Sequence, residues 1–332
     1  MPEQSIEIDF LPSIGDIKSA QDLVYSVMQP TPQVVWPLLC ERLAAELWVK
    51  HENHTPIGAF KARTAVVYAA ELFRGTKAIT GLVTATRGNH GQSVALAAKC
   101  FDVPAHVVIP VGNSPEKNAA MRAQGADLIE VGGDYQEAKE HAQELAAAHG
   151  WHFVPSYHRD IVKGVATYWM EFFSSVRDVD IVYVPIGQGS GICACVAVRN
   201  GLNLKTKIIG VVATGAPAYA LSFEAGRKIA APVTTLLADG MACRVPDDAS
   251  LGVVLHNVER VVQVTEQEIA EAMRTIFIAT HNVAEGAGAA SFAAALKEKE
   301  KESLKGKRVG VVLSGGNVDH DVFAKVLQRV GG

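Results

Sequence analysis

Twice along the chain, from Ala78 to Val154 and from Val162 to Leu313, short apolar runs alternate with helical stretches. This alternation restricts the fold more than any other feature of the sequence. In the first block Gly81–Thr84, Ala105–Pro110, Asp127–Val131 and Trp151–Val154 read as strands, separated by helical spacing over Gly91–Lys99, Pro115–Gln124 and Tyr135–His149. In the second, helices at Val162–Ser174, Ile192–Arg199, Gln267–Thr280 and Gly288–Lys299 interleave with strands at Ile181–Ile186, Lys207–Val212 and Arg308–Leu313. Ahead of both lie a helix near Ile17–Met28, a breaker at Gln29–Pro32, a helix over Trp36–Leu43, a strand at Glu46–His51 and a helix ending near Gly75. The expected class is α/β: two open, mainly parallel sheets with helices on both faces. Residues 78–157 would form a small unit, and 1–77 with 158–332 a large one.

Length and composition narrow the partners. The 332 residues suit two units of ordinary size, and 48% hydrophobic content supplies ample core. A net charge of −4 without a basic block argues against nucleic acid and membrane surfaces. No apolar run approaches the roughly 18 residues that span a bilayer, and the acidic start Met1–Asp9 lacks a signal-peptide pattern. Cysteines stand at 40, 100, 193, 195 and 243, an odd number. Cys193 and Cys195 lack the spacing of a zinc or redox pair, and on a helix they point apart. Reduced core thiols in a cytoplasmic protein are the better reading. The run Lys297–Glu302 reads as a solvated helix end.

Four short stretches carry chemistry. Thr55–Arg63 places Lys61 at the start of a helix, with Thr55 as its cap and Pro56 as its first residue. Phe60, Thr64, Val67, Tyr68 and Leu72 then give that helix a buried face. A helix N-terminus and burial beside Phe60 both favour the neutral amine, a nucleophile toward an aldehyde and then a proton acceptor. On this stretch alone an ordinary surface lysine is the commoner reading. Thr84–Gln92 follows a strand and opens a helix. Its backbone N–H groups suit a carboxylate, and Asn89 can offer an amide to a phenolic oxygen; a plain polar turn is the alternative. Gly187–Gly191, reading Gly-Gln-Gly-Ser-Gly after a buried strand, can wrap a single phosphate. A dinucleotide fingerprint fits poorly: the third glycine comes too early, and Gly210–Ala213 offer no acid about 20 residues on. Ser314–Asn317, reading Ser-Gly-Gly-Asn, puts a neutral hydroxyl where it can meet a ring nitrogen.

An amine, a carboxylate site, a phosphate cup and a ring-nitrogen partner are the contacts pyridoxal phosphate needs. The chain resembles the fold-type II pyridoxal-phosphate enzymes of the threonine/serine dehydratase and serine racemase group, whose fold is that of the tryptophan synthase β chain. Ala59–Arg63 matches the family's lysine motif, Gly88–Gly91 its Gly-Asn-His motif, Gly187–Gly191 its phosphate loop and Ser314–Asn317 its Ser-Gly-Gly-Asn. Asp239–Gly240 and Ala284–Gly288 also look familial, and the resemblance runs from about residue 30 to the C-terminus. It implies that Lys61 holds the cofactor as a Schiff base and later moves the α-proton. Phe60 would pack on the ring, Asn89 bond its phenolic oxygen and Ser314 its nitrogen. Gly187, Gln188, Gly189, Ser190 and Gly191 would hold the phosphate, and Glu285 would sit near the substrate amine or the ring edge. Thr86, Arg87, Gly88 and His90 would face an amino-acid substrate. The reaction implied is loss of the α-proton and β-hydroxyl, then hydrolysis to a 2-oxo acid and ammonia. Threonine or serine is the default substrate, and a homodimer or homotetramer the expected assembly. A non-catalytic phosphate-binding protein is the reading from another class.

The departures from the family are informative. Arg87 stands where the group has a small residue and the racemases a second acid/base serine. Racemisation is therefore not expected, and a polar or second carboxyl group on the substrate becomes a candidate partner, as for a 3-hydroxyaspartate; bracing a loop is the alternative. Gln188 and Ser190 replace usual glycines. Val212–Pro217 contain no acid, so no divalent cation is expected there. No regulatory domain is read after residue 330, so amino-acid feedback is not expected.

Overall fold

The computed structural model describes residues 10–75, 79–299 and 304–328. Ala78, residues 300–302 of the charged run and Met1–Asp9 lie outside them. Strands β1 (Gln33–Val35), β2 (Glu46–His51), β7 (Ile181–Pro185), β8 (Lys207–Ala213), β9 (Arg260–Val264) and β10 (Arg308–Leu313) form one sheet, ordered β1-β2-β10-β7-β8-β9. Strands β3 (Leu82–Ala85), β4 (Ala105–Ile109), β5 (Ala126–Glu130) and β6 (His152–Phe153) form a second, ordered β5-β4-β3-β6. Every pairing is parallel except β1 with β2. The expected α/β class with two mainly parallel sheets is what the chain adopts.

Helices α1 (Ile14–Tyr25), α2 (Pro37–Leu43), α3 (Ala62–Gly75), α4 (Asn89–Cys100), α5 (Pro115–Ala123), α6 (Tyr135–His149) and α7 (Arg159–Ser175) are followed by α8 (Ser190–Gly201) and α9 (Ala218–Ala225). Then come α10 (Asp248–Asn257), α11 (Glu266–Thr280), α12 (Gly286–Glu298) and α13 (His320–Gln328). Strand alternation decides which helices cover which face. Ile181 and Tyr183 of β7 pack with residues of α2, α11 and α12, while Val182 and Val184 pack with α7, α8 and α10. In the smaller sheet Leu82 and Val107 meet α3 and α4, and Val83 and Val108 meet α6. Three cysteines, 193, 195 and 243, are buried, and all five are free thiols; Cys100 is exposed. No described helix is long and apolar enough to cross a membrane.

Helix α3 touches both sheets' layers, and a charge cluster sets its position. Gly164 of α7 lies so close that a Cβ there would stand 2.2 Å from the Arg63 carbonyl oxygen. Arg63, with no exposed surface, donates to Glu52 (2.8 and 3.0 Å), to Glu171 (2.6 and 3.0 Å) and to the Thr167 hydroxyl (2.9 Å). Lys50, equally buried, donates to Glu171 at 2.5 Å and to the Thr31 carbonyl at 2.6 Å. Burial alone would raise the Glu171 carboxyl, but Arg63 and Lys50 outweigh it and hold it below the usual range.

Two local expectations are corrected. Thr55 and Pro56 do not open α3, which begins at Ala62; the Thr55 hydroxyl instead accepts from the Ala59 N–H and donates to the Ala59 carbonyl, bracing the turn before the helix. Lys61 therefore sits in that turn. Glu298 is not part of a solvated end: it is buried, and Arg260 and Tyr183 donate to it. Replacing Arg63 by Ala leaves Glu52 a buried anion without its cation and Glu171 with Lys50 alone. Urea unfolding of Arg63→Ala should show a loss of about 3–5 kcal/mol, while an exposed-pair control, Lys207→Ala, should lose less than about 1 kcal/mol.

Candidate active site

The lysine turn is stitched to the end of β10. Ala59 and Gly315 form an isolated bridge, the Phe60 N–H donates to the Ser314 carbonyl (2.9 Å), and the Gly316 N–H donates to the Gly58 carbonyl (2.9 Å). Lys61 and Ser314, 253 positions apart by their numbering (314 − 61), are thus held on adjoining backbone. On the other side the Ser93 hydroxyl of α4 donates to the Lys61 carbonyl and accepts from the Ala65 N–H (3.2 Å). A serine from another helix takes the place of the local cap. The Lys61 amine lies 5.1 Å from the Phe60 ring centre, and Phe60 packs edge-on against Tyr168.

Thr86–His90 leads out of β3 into α4. The Thr86 hydroxyl accepts from the Gly88 N–H (3.1 Å). Asn89 gives its amide to both Glu285 oxygens (3.0 and 3.1 Å), and its own oxygen accepts from Asn317 (2.7 Å). Its amide therefore already has a carboxylate partner, which the sequence did not disclose. Thr86, Gly88 and His90 are buried; Arg87 is exposed, with no side-chain partner among the described residues. His90 is pushed down to about 3 by burial and then by the charge of Lys61, so its imidazole is neutral.

Gly187–Gly191 runs from β7 into α8. A Cβ on Gly187 would stand 2.5 Å from the Gly240 carbonyl oxygen, and one on Gly189 (φ +101°) 2.6 Å from Ser250. Both positions need glycine. Tyr219 donates to the Gln188 carbonyl (3.1 Å) and contacts Ser250, and Trp169 donates to the Gly191 carbonyl (3.0 Å). With its carbonyls tied back, the loop is free to present N–H groups at the start of α8. Ser314 is buried and its hydroxyl has no described protein partner.

Burial sets the protonation of the site. Lys61 keeps some exposed surface, yet desolvation lowers its amine from 10.5 to about 8. Glu285 rises from 4.5 to about 7, chiefly by burial and then by Asp239, against the pull of Lys117 and Asn89. A groove of about 560 Å³ elsewhere, lined by Leu38, Arg42, Glu271 and Ile278, contains none of these groups.

The donor set suits an aromatic aldehyde phosphate: an easily deprotonated amine, a glycine cup that a side chain would fill, and a hydroxyl left without a protein partner. Comparison with known proteins agrees. Residues 24–315 match the family profile described as pyridoxal-phosphate dependent enzyme. The chain belongs to that family. An L-threonine ammonia-lyase of Thermotoga maritima is 34% identical over 318 residues, covering 96% of this chain and 78% of that protein. An L-threo-3-hydroxyaspartate ammonia-lyase of Saccharomyces cerevisiae is 30% identical, covering 96% and 97%. The processed form of threonine deaminase isoform 2 from Solanum lycopersicum superposes with a TM-score of 0.91 at 28% identity, over 99% of this chain and 90% of that one. Pyridoxal phosphate is the cofactor of this family member.

Several site residues carried no sequence signal. Ser93 is one polar residue in an alanine-rich helix, and Tyr219 and Ser250 act only through a loop distant in sequence. Lys117 looks like a surface lysine on α5. Two outcomes test the site. The rate at which added pyridoxal phosphate develops its visible band on apoprotein should rise as pH increases and level off above about 8, because the neutral Lys61 amine accumulates as pH passes that value. Gly189→Ala should weaken cofactor binding about tenfold or more in an absorbance titration, since its φ is strained for any side chain.

Proposed function

We propose that the protein is an ammonia-lyase that converts a β-hydroxy amino acid, threonine or serine, to a 2-oxo acid and ammonia. The observation that carries this is the stitching of the Lys61 turn to the Ser314 loop, which brings the stretch bearing the amine beside the stretch bearing a neutral hydroxyl. Bound pyridoxal phosphate supplies the electron sink that acidifies the α-hydrogen of the amino acid. Lys61 would hold the cofactor through its amine and, with that amine free, would receive the α-proton. Gly187–Gly191 holds the phosphate, with Gln188 and Ser190 in the cup. Phe60 packs beside the ring. Asn89 and Ser314 orient its oxygen and nitrogen; a neutral hydroxyl at the nitrogen withdraws less charge than a protonating acid and so suits elimination. Thr86, Gly88 and His90 seat the α-carboxylate at the start of α4. Glu285, able to hold a proton near neutral pH, lies on Asn89 toward the substrate's amine or the ring edge. The Cα–H and Cβ–O bonds break, water leaves, and the released enamine hydrolyses.

A second reading, a dicarboxylic substrate such as 3-hydroxyaspartate, is favoured by Arg87: exposed, unpaired, and placed within the carboxylate loop. Holoprotein should show a band near about 410 nm, lost in Lys61→Ala together with about 10³-fold or more of the activity. Wild-type protein assayed for 2-oxo acid release across a panel of β-hydroxy amino acids fixes the substrate; no release from any of them overturns the reading. In Arg87→Ala, a loss on 3-hydroxyaspartate well beyond that on threonine selects the dicarboxylic substrate, and equal losses exclude it.

A further inference from the structure

Residues 87–89 are each held from outside the loop. Asn113 donates to the Arg87 carbonyl (3.2 Å), and Asn89 is fixed by Glu285 and Asn317. Gly88 is held by a side chain that nothing above uses. The stem of Lys117 lies against it, so close that a Cβ on Gly88 would stand 3.0 Å from Lys117 Cδ. The ammonium then crosses the cleft to Asp239 Oδ2 at 2.5 Å, with the two side chains only 17% and 33% exposed. Asp239 belongs to the turn whose neighbour Gly240 walls the glycine cup. Lys117 therefore joins the substrate loop of one sheet's layer to the phosphate wall of the other.

Its surroundings explain why a lysine suits the place. Lys117 lies within electrostatic reach of Glu285 and Asp319 as well as Asp239. Burial pulls its ammonium down, yet these acids outweigh burial and keep it charged. The same end of α5 makes two more crossings: Ser114 donates to Asp319 (2.6 Å), and the His320 N–H donates to Glu116 (3.2 Å). The His320–Glu116 crossing is exposed, whereas Lys117–Asp239 and Ser114–Asp319 are part-buried, and of these two only Lys117–Asp239 is an ion pair.

We infer that Lys117 is a positioning residue for substrate: its stem seats Gly88 and its tie to Asp239 holds the carboxylate loop to the turn that walls the glycine cup. The inference rests on the proposed carboxylate role of Thr86–His90, but not on the identity of the reaction. The tie governs how well the loop binds a carboxylate, while Lys61 and the phosphate cup keep their own supports. Loss of the charge therefore acts on substrate binding more than on chemistry.

The test uses holoprotein carrying Lys117→Met, which keeps the stem, alongside Asp239→Asn and Lys117→Arg. L-serine is titrated while the cofactor's absorbance is followed, which needs no turnover, and kinetics are run on the best substrate. Lys117→Met and Asp239→Asn should each weaken serine binding and raise KM about tenfold, with a smaller fall in kcat and an unchanged cofactor band. Lys117→Arg should recover most of the loss. Hydrogen exchange of residues 87–92 should quicken in both weakened variants. Unchanged serine affinity, or a fall in kcat at constant KM, overturns the inference. So does Lys117→Arg behaving like Lys117→Met. Should Lys117→Met not fold, Asp239→Asn decides by the same readings. Serine binding that responds as expected in a protein that releases no 2-oxo acid would sink the lyase reading and leave this one standing.

Discussion

Arg63 is a permanent cation with none of its surface in water, and the packing around Lys61 is built on satisfying it. An unpaired charge in such a place costs several kcal/mol, a large share of a protein's margin of stability. Glu52 and Glu171 meet the two edges of the guanidinium, Lys50 balances the second carboxylate, and the four charges sum to zero. Because the guanidinium donors are fixed in one plane, satisfying them fixes the backbone that carries them. Lys61 precedes Arg63 by two residues, and Gly164 lets α7 press against the Arg63 carbonyl. Lys61 is thus placed by a cluster it never touches. The cluster adds placement more than stability, since buried pairs of this kind roughly break even against apolar packing.

With the lysine placed, the rest of the site follows from the sheets. The functional loops leave the carboxyl ends of β3, β7 and β10, as ligand-binding loops do in parallel sheets. One of them comes from the smaller sheet, so the site lies across the seam and depends on contacts that bridge it, Ser93 to the Lys61 carbonyl and Asn89 to Glu285 among them. Three groups facing this seam are pushed toward their neutral forms, Lys61 down to about 8, His90 down to about 3 and Glu285 up to about 7, while Lys117 is kept charged by its acids. A desolvated site of this kind moves protons near neutral pH without building large fixed charges.

Much of this was legible in the residues, and the failures have definite causes. Runs such as Ile181–Pro185 and Tyr135–His149 announce themselves, because a buried strand and an amphipathic helix each need a continuous pattern. Strand β9, Arg260–Val264, was missed because a charge and a glutamine interrupt its run; its burial comes from β8 and α12. Helices α9 and α10 are short and weakly patterned, and α13 is amphipathic but short. Thr55-Pro56 has the local chemistry of a helix start, but a turn closed four residues on claims the Thr55 hydroxyl for Ala59, and Ser93 from α4 caps the helix instead. The candidate cofactor positions carried a sequence signal because each pairs a particular residue type with neighbouring glycines or a lysine motif. Their supports were not, because Tyr219, Ser250, Lys117 and Asp239 act through space.

The division of labour between the two sheets bears on the outcome of the reaction. Moving a proton to and from both faces of Cα requires two groups that can exchange one. On the large-sheet side Lys61, with its amine near 8, can do so. In the small-sheet loop the candidates are poorly suited: Arg87 is exposed and permanently cationic, and the Thr86 hydroxyl is buried and engaged with the Gly88 N–H. His90 is neutral and held too low to carry a proton at neutral pH. Once a proton has gone to Lys61, loss of the β-hydroxyl is easier than reprotonation from the far face. The loop proposed to seat the substrate carboxylate thereby tilts the chain toward elimination over inversion.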